Sequence, residues 1–99
     1  MIRGTTPTLT FTLPFDVGIL ENVYITFKGY GNGGFEKQLT DCIAQGNQLI
    51  LKLSQTDTLQ LAADQHVQIQ IRAKTKNQEA LASNIMTAAV SRILKDGEI

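Results

Sequence analysis

The stretch 66–74 alternates polar and apolar residues without a break. Its apolar residues occupy every second position: Val67, Ile69, Ile71 and Ala73. Successive side chains of a β-strand point to opposite faces of a sheet, so a period of two predicts a strand with one face toward a core and the other in water. A strand of this kind is typical of an antiparallel sheet whose outer face is solvated.

Further segments show the same alternation and are separated by turn residues. The opening segment 8–13 places Leu9, Phe11 and Leu13 on one side, with threonines between them. Residues 23–28, 35–40 and 48–53 predict three more strands. The glycines and asparagine of 31–34 and the pair Gly46–Asn47 accept the backbone angles of tight turns, and Pro14 favours the end of the first strand.

Three segments depart from this pattern. Near Asp41 and Cys42 the alternation is interrupted, since Leu39 and Ile43 keep the same parity while Asp41 falls between them, and this predicts a bulge or a short kink. The S-x-x-D sequence from Ser54 to Asp57 predicts one helical turn. The segment 79–94 fits either a helix or a last strand, and we favour the strand because a sheet of short strands needs a closing partner.

About seven short strands at intervals near ten residues predict an all-β protein, an immunoglobulin-like antiparallel β-sandwich with at most one short helical turn near 54–59. Ninety-nine residues are enough for a single domain over 1–99. We expect residues 1–6 to form a flexible arm and residues 95–99 to fray.

The balance of charge bears on partners. Nine basic and nine acidic residues provide no strong positive field, which argues against nucleic acid and membrane surfaces as main partners. Threonine interrupts the opening segment at every second position, so it does not form the apolar run of a secretory signal. We therefore expect the protein to fold in the cytoplasm.

Residues with catalytic chemistry are few. Cys42 and His66 are the single cysteine and the single histidine, and nothing in the sequence places them together as a nucleophile and base. The glycine cluster 29–34 lacks the Gly-Lys-Ser/Thr ending of a phosphate-binding loop. We expect no enzyme activity, no metal, no cofactor and no small-molecule ligand.

The surface offers candidates for protein contact. Tyrosines on a sheet face can stack on sugars or anchor an interface, although two tyrosines can also merely cover a thin core. A threonine row on the first strand and a short basic strip on the strand at 66–74 can face a partner or simply water. The candidate partner-binding residues are Arg3, Thr8, Thr10, Thr12, Tyr24, Tyr30, Arg72 and Lys74.

The order of these segments resembles a known family. The stretches RGTTPTLTFTL, VYITFK, GNQLILKLSQTDTL, VQIQIRAKT and ASNIMTAAVSRIL look like a small structural protein of tailed phages and prophages of gut Firmicutes. The layout is also similar to the immunoglobulin-like N-terminal domain of the phage baseplate upper protein. The resemblance covers nearly the whole chain and includes no catalytic motif.

The resemblance implies a virion structural protein, a tail, neck or baseplate adaptor that acts by protein–protein assembly. Its expected partners are other virion proteins, including further copies of itself in the assembled particle. A carbohydrate- or cell-surface-binding sandwich is the alternative, motivated by Tyr24, Tyr30 and the glutamine-rich face of the strand from Val67. An enzyme that uses Cys42 is a third hypothesis.

Overall fold

The computed structural model describes residues 1–29 and 33–99. Two antiparallel sheets pack against each other. The smaller sheet has the order β1–β5–β4, formed by β1 (Thr8–Thr12), β4 (Cys42–Gln45) and β5 (Gln48–Lys52). The larger sheet contains β2 (Leu20–Gly29), β3 (Gly34–Gln38), β6 (Gln65–Thr75), β7 (Ala80–Ala82) and β8 (Met86–Val90). Its order is β3–β2–β6, and both β7 and β8 pair with the far side of β6.

The strand order confirms the predicted fold class. In immunoglobulin domains strands A, B, E and D form one sheet and C, F and G form the other, to which variable-type domains add C′. Here β1, β5 and β4 occupy the positions of B, E and D, and β3, β2 and β6 occupy those of C′, C and F. The broken strand β7–β8 takes the position of G. Among the described residues, no strand occupies position A beside β1.

The core lies between the sheets and is built by the alternation of their strands. The inward side chains of β5 and β2 are almost fully buried: Leu49 and Ile25 are both 0% exposed. The rings of Phe27 and Phe35 stack with centroids 4.5 Å apart across the β2–β3 pair. Gly34 has φ +147° where the chain enters β3, and a Cβ there would collide with the carbonyl oxygen of Phe27. Glycine is therefore required at this position.

Of the two predicted irregularities near Asp41, a bulge or a short kink, the structure shows a short kink, which carries the chain from one sheet to the other. A 3₁₀ helix, Leu39–Asp41, carries the chain from β3 in the larger sheet to β4 in the smaller one. The Asp41 carboxylate accepts a hydrogen bond of 2.8 Å from the Gln38 backbone N–H and closes this turn. A polar residue inside the alternation here marks the point where the inward direction changes from one sheet to the other.

The predicted helical turn is present as α1 (Gln55–Leu59). The Ser54 hydroxyl accepts from the Asp57 backbone N–H at 3.0 Å, and the Asp57 carboxylate accepts from the Ser54 N–H at 2.9 Å. These reciprocal bonds satisfy two backbone donors at the start of the helix. A second 3₁₀ helix, Val17–Ile19, was not predicted; it is capped by the Asp16 side chain.

The segment 79–94 forms strands, as favoured, but in two pieces. Leu81 pairs with Ala73 and Met86 pairs with Ile69, so the register shifts by one residue between β7 and β8. Such a shift is the signature of a β-bulge. The Ser83 backbone N–H still bonds to the Ile71 carbonyl at 2.8 Å, which places the extra residue within 84–85. This break and the separate β4 raise the number of described strands to eight.

Both terminal segments lie against the domain. The Ser91 N–H donates to the Met1 carbonyl at 2.7 Å, and the Arg3 N–H donates to the Ser91 carbonyl at 3.1 Å. Ile2 and Ser91 thereby form a parallel bridge. Residues 1–6, which we expected to form a flexible arm, are tied to the domain: residues 1–3 bond to Ala89 and Ser91, and the Thr5 carbonyl accepts from the Thr58 hydroxyl at 2.9 Å. Residues 95–99, which we expected to fray, contact α1 through paired bonds between Gln55 and Ile99.

Candidate assembly surfaces

The free side of β1 presents backbone groups that no described strand uses. The Leu53 N–H donates to the Pro7 carbonyl at 2.9 Å, and the Leu13 N–H donates to the Asn47 carbonyl at 2.8 Å. Hydrogen-bonded pairs alternate along an antiparallel ladder, so the odd residues of β1 bond to β5. The backbone groups that point away from β5 therefore belong to the exposed residues Thr8, Thr10 and Thr12. We call this row the β1 edge.

The β1 edge has none of the features that protect exposed strands from pairing. Natural edges are blunted by short strands, charged residues, proline, bulges or a covering segment. β1 is five residues long and contains no charge, proline or glycine. The other edge of the smaller sheet, β4, is four residues long and follows Asp41 directly.

At the far edge of the larger sheet, the first residues of the chain cover the C-terminal end of β8. The Met1 nitrogen donates to the Ala89 carbonyl at 2.7 Å, and the bonds of Ser91 to Met1 and Arg3 continue this cover. The Arg3 guanidinium holds the segment down, since it donates to the carbonyls of Leu61 at 2.8 Å and Leu59 at 3.0 Å. These carbonyls lie at and just beyond the end of α1, where helix carbonyls lack partners of their own.

The opposite edge of that sheet, β3, is guarded by an ion pair. Lys37 pairs with Ile25 and shares its inward direction, and its ammonium lies 3.0 Å from the Asp57 carboxylate. An inward charge on an edge strand opposes the addition of a further strand. Burial acts to raise the pKa of Asp57, but hydrogen bonds from Ser54 and the pairing with Lys37 outweigh it and hold that pKa below its usual value.

A small apolar recess opens where β1 ends. Its volume is about 270 Å³, and its walls come from the turn after β1 and from β6 and β7, including Leu13, Phe15, Ile71 and Leu81. Phe15 is only half-buried. Because no described strand occupies position A, this side of the sandwich leaves apolar core residues in reach of a partner.

A second surface lies on the outer face of the larger sheet. Tyr24 is 41% exposed and stands opposite Arg72 on β6, while Asn22 stands opposite Lys74. Together with Thr26 and Glu36 they line a recess of about 560 Å³, which we call the Tyr24 face. The Thr26 hydroxyl donates to the Glu36 carboxylate at 3.3 Å. The face thus combines one aromatic ring with cations, a carboxylate and an amide.

Cys42 and His66 do not form a catalytic pair. Cys42 packs on the core from the smaller sheet, whereas His66 is exposed on the larger sheet, opposite Ala89. Burial, and next the charge of Asp41, raise the pKa of the Cys42 thiol. A raised pKa disfavours the thiolate, which is the reactive form.

The predicted contact residues fall into three groups. Thr8, Thr10 and Thr12 form the β1 edge, and Tyr24, Arg72 and Lys74 meet on the Tyr24 face. Arg3 lies apart from both groups and bonds to its own domain. Tyr30 lies outside the described residues.

The ion pair between Lys37 of β3 and Asp57 was not predicted from the sequence. The S-x-x-D sequence pointed to Asp57 as a helix cap, and the alternation of β3 assigns Lys37 the inward parity of Phe35. A lysine at an inward position of a strand was therefore the available signal that a carboxylate lies opposite it. The distance between the two segments along the chain hid the partner.

Comparison of the chain with protein-family models, with curated proteins and with solved structures finds no match. Over the described ranges 1–29 and 33–99, no helix has the length and apolar character needed to cross a membrane. Within those same ranges, no three histidine, cysteine or acidic side chains gather as a metal site would require.

Proposed function

We propose that the protein is a structural component of a tailed-phage or prophage virion, a tail, neck or baseplate adaptor that acts by protein–protein assembly. The observation that carries the assembly role is the open β1 edge. The resemblance of strand order to phage structural proteins supports the virion setting.

Strand addition is the mode of binding that this edge favours. An extended segment beside β1 gains backbone hydrogen bonds from Thr8, Thr10 and Thr12, and its alternate side chains cover the exposed parts of Leu9 and Phe11. Affinity then comes from the backbone and selectivity from the side chains. A molecule whose longest uncharged and uncovered strand edge is β1 is suited to joining a neighbour there.

The test uses two threonines on two different edges. Thr10 and Thr87 both have backbone N–H groups that point away from their sheets, so proline at either position leaves the ladder to the neighbouring strand intact. Each variant is co-expressed with tail and baseplate proteins encoded by the same phage, and bound proteins are identified by mass spectrometry. We expect capture of a virion protein by the wild type and by Thr87→Pro, and loss of capture by Thr10→Pro.

The same experiment can refute the proposal. Equal capture by Thr10→Pro and the wild type would remove the β1 edge as the binding site. Absence of the protein from purified, mass-analysed phage particles would remove the virion setting.

A carbohydrate- or cell-surface-binding role is the second candidate, and the Tyr24 face favours it. An exposed ring beside amide, carboxylate and guanidinium groups offers stacking and directed hydrogen bonds to a sugar. A glycan array compares the wild type with Tyr24→Ala and Thr10→Pro. Binding that Tyr24→Ala abolishes and Thr10→Pro retains would establish this role, and an empty array would eliminate it.

A further inference from the structure

The outward residues of the β1 edge are arranged symmetrically. Thr8 and Thr12 lie at equal distances along the strand from Thr10, and all three direct their backbone groups away from β5. If a second copy of β1 lies antiparallel beside the first, Thr10 faces its equivalent and Thr8 faces Thr12 of the second copy. Every outward group then has a partner, since each hydrogen-bonded pair exchanges two bonds.

Charge distinguishes this edge from the β3 edge. A strand that pairs with its own copy places its central residue against the same residue, and like charges directly opposite each other are destabilising. The outward residues of β3 centre on Glu36, so self-pairing there would oppose two carboxylates. β1 centres on Thr10, and threonine pairs across strands are favourable. The net charge of zero adds no overall repulsion between copies.

The inward side chains of β1 also gain from a second copy. Leu9 and Phe11 are only partly buried, whereas Leu49 and Leu51 beside them on β5 are 0% and 1% exposed. In the symmetric register Leu9 faces Phe11 of the second copy. Pairs of aromatic and aliphatic side chains across strands stabilise a sheet and bury apolar surface.

We infer that the β1 edge binds a second copy of this chain, through antiparallel pairing of Thr8–Thr12 about Thr10. The two smaller sheets then form one continuous six-stranded sheet around a two-fold axis. This inference rests on the proposed assembly function and identifies the partner at the same edge.

A charge-swap experiment tests it. Thr10→Lys and Thr10→Glu each place like charges across the two-fold axis, while a mixture of the two places opposite charges there. By sedimentation velocity at protein concentrations up to about 1 mM, we expect a concentration-dependent dimer for the wild type, monomers for each variant alone, and a mixed dimer for the mixture. Thr87→Lys on the β8 edge is the control and should dimerise like the wild type.

Cross-linking then tests the register. In a Cys42→Ser background, Thr10→Cys brings two thiols into the range that a disulfide spans. Thr12→Cys alone faces Thr8 of the second copy, so it should cross-link only when mixed with Thr8→Cys. Oxidation is followed on non-reducing gels.

The outcomes separate this inference from the assembly proposal. A wild type that stays monomeric, or a Thr10→Lys variant that still dimerises, overturns the inference. If the wild type is monomeric but captures a virion protein that Thr10→Pro loses, the assembly proposal stands and the partner is a different chain. If neither a dimer nor capture is found, both fall.

Discussion

The edges of the two sheets are treated differently. In the larger sheet, Met1–Arg3 cover the end of β8 at Ala89, and the inward Lys37 of β3 pairs with Asp57. In the smaller sheet, β1 presents three uncharged residues whose outward backbone groups meet no described strand. Exposed edges invite association. Among the described strands, β1 therefore offers the longest edge that carries neither a charge nor a covering segment.

Proline substitution should give the largest difference in stability between an inner strand and the open edge strand β1. Thr26 lies in β2 between two neighbours and, by the alternation of the ladder, its N–H bonds to Gln70 of β6. Thr26→Pro removes that bond inside the sheet, and we expect it to lower the free energy of unfolding by about 3 kcal/mol. Thr10→Pro removes no bond within the chain and should lower it by less than about 1 kcal/mol.

Urea denaturation measures both changes. Thr26 and Thr10 are both exposed threonines on outer sheet faces. Thr26→Ala measures separately the loss of the hydroxyl bond to Glu36. Equal destabilisation by the two prolines would contradict the assigned direction of the Thr10 backbone and with it the open edge.

The cover of β8 depends on Arg3. Its guanidinium donates to two backbone carbonyls and is 22% exposed, whereas its ion-pair partner Asp96 is 80% exposed. We expect Arg3→Ala to lower the free energy of unfolding by about 2 kcal/mol, because hydrogen bonds from a charged group are strong and the carbonyls of Leu59 and Leu61 lose their donor. Asp96→Ala should change it by less than about 0.5 kcal/mol.

Thermal unfolding of Arg3→Ala and Asp96→Ala distinguishes the bonds of Arg3 to backbone carbonyls from its ion pair with Asp96. If both variants lose the same stability, the ion pair carries the stabilisation instead. Because Met1 and Arg3 bond to their own domain, we expect deletion of residues 1–6 to lower the free energy of unfolding more than it weakens self-association.

The ion pair between Lys37 and Asp57 makes the free energy of unfolding depend on pH. The pKa of Asp57 is lower in the folded protein than its ordinary value, so the folded state binds this proton less readily than the unfolded state. The stabilisation is complete above the unfolded pKa of about 3.9 and is lost as the pH falls through the folded pKa. We expect Asp57→Asn to cost about 1–2 kcal/mol at pH 7 and progressively less below about pH 4.

Urea denaturation across this pH range checks the effect. Lys37→Met is the companion variant, since it removes the cation and leaves the helix cap of Asp57 in place. It should lose part of the same acid-dependent stabilisation. An Asp57→Asn variant whose deficit is constant from neutral to acid pH would show that the carboxylate does not carry the guard.

Local patterns predicted much of the fold. The strand at 66–74, the turn at Gly46–Asn47 and the helical turn after Ser54 follow from side-chain period and turn chemistry. The change of sheet at Leu39–Asp41 did not follow, because an interrupted alternation looks the same whether a strand bulges or the chain crosses to another sheet. The break between β7 and β8 did not follow either, because the register of each piece is set by its pairing with β6, a contact between segments.

The candidate surfaces divide in the same way. The exposure of Thr8, Thr10 and Thr12 could be predicted, because alternation determines which face a side chain takes. That their backbone groups are also free depends on which strands lie beside β1, and strand order is set by the packing of the whole domain. The sequence by itself determined the all-β class, the inward residues and the balanced charge. The tertiary structure decided that Arg3 bonds to its own domain, that Lys37 meets Asp57, and that β1 is left open, since each of these joins segments far apart along the chain.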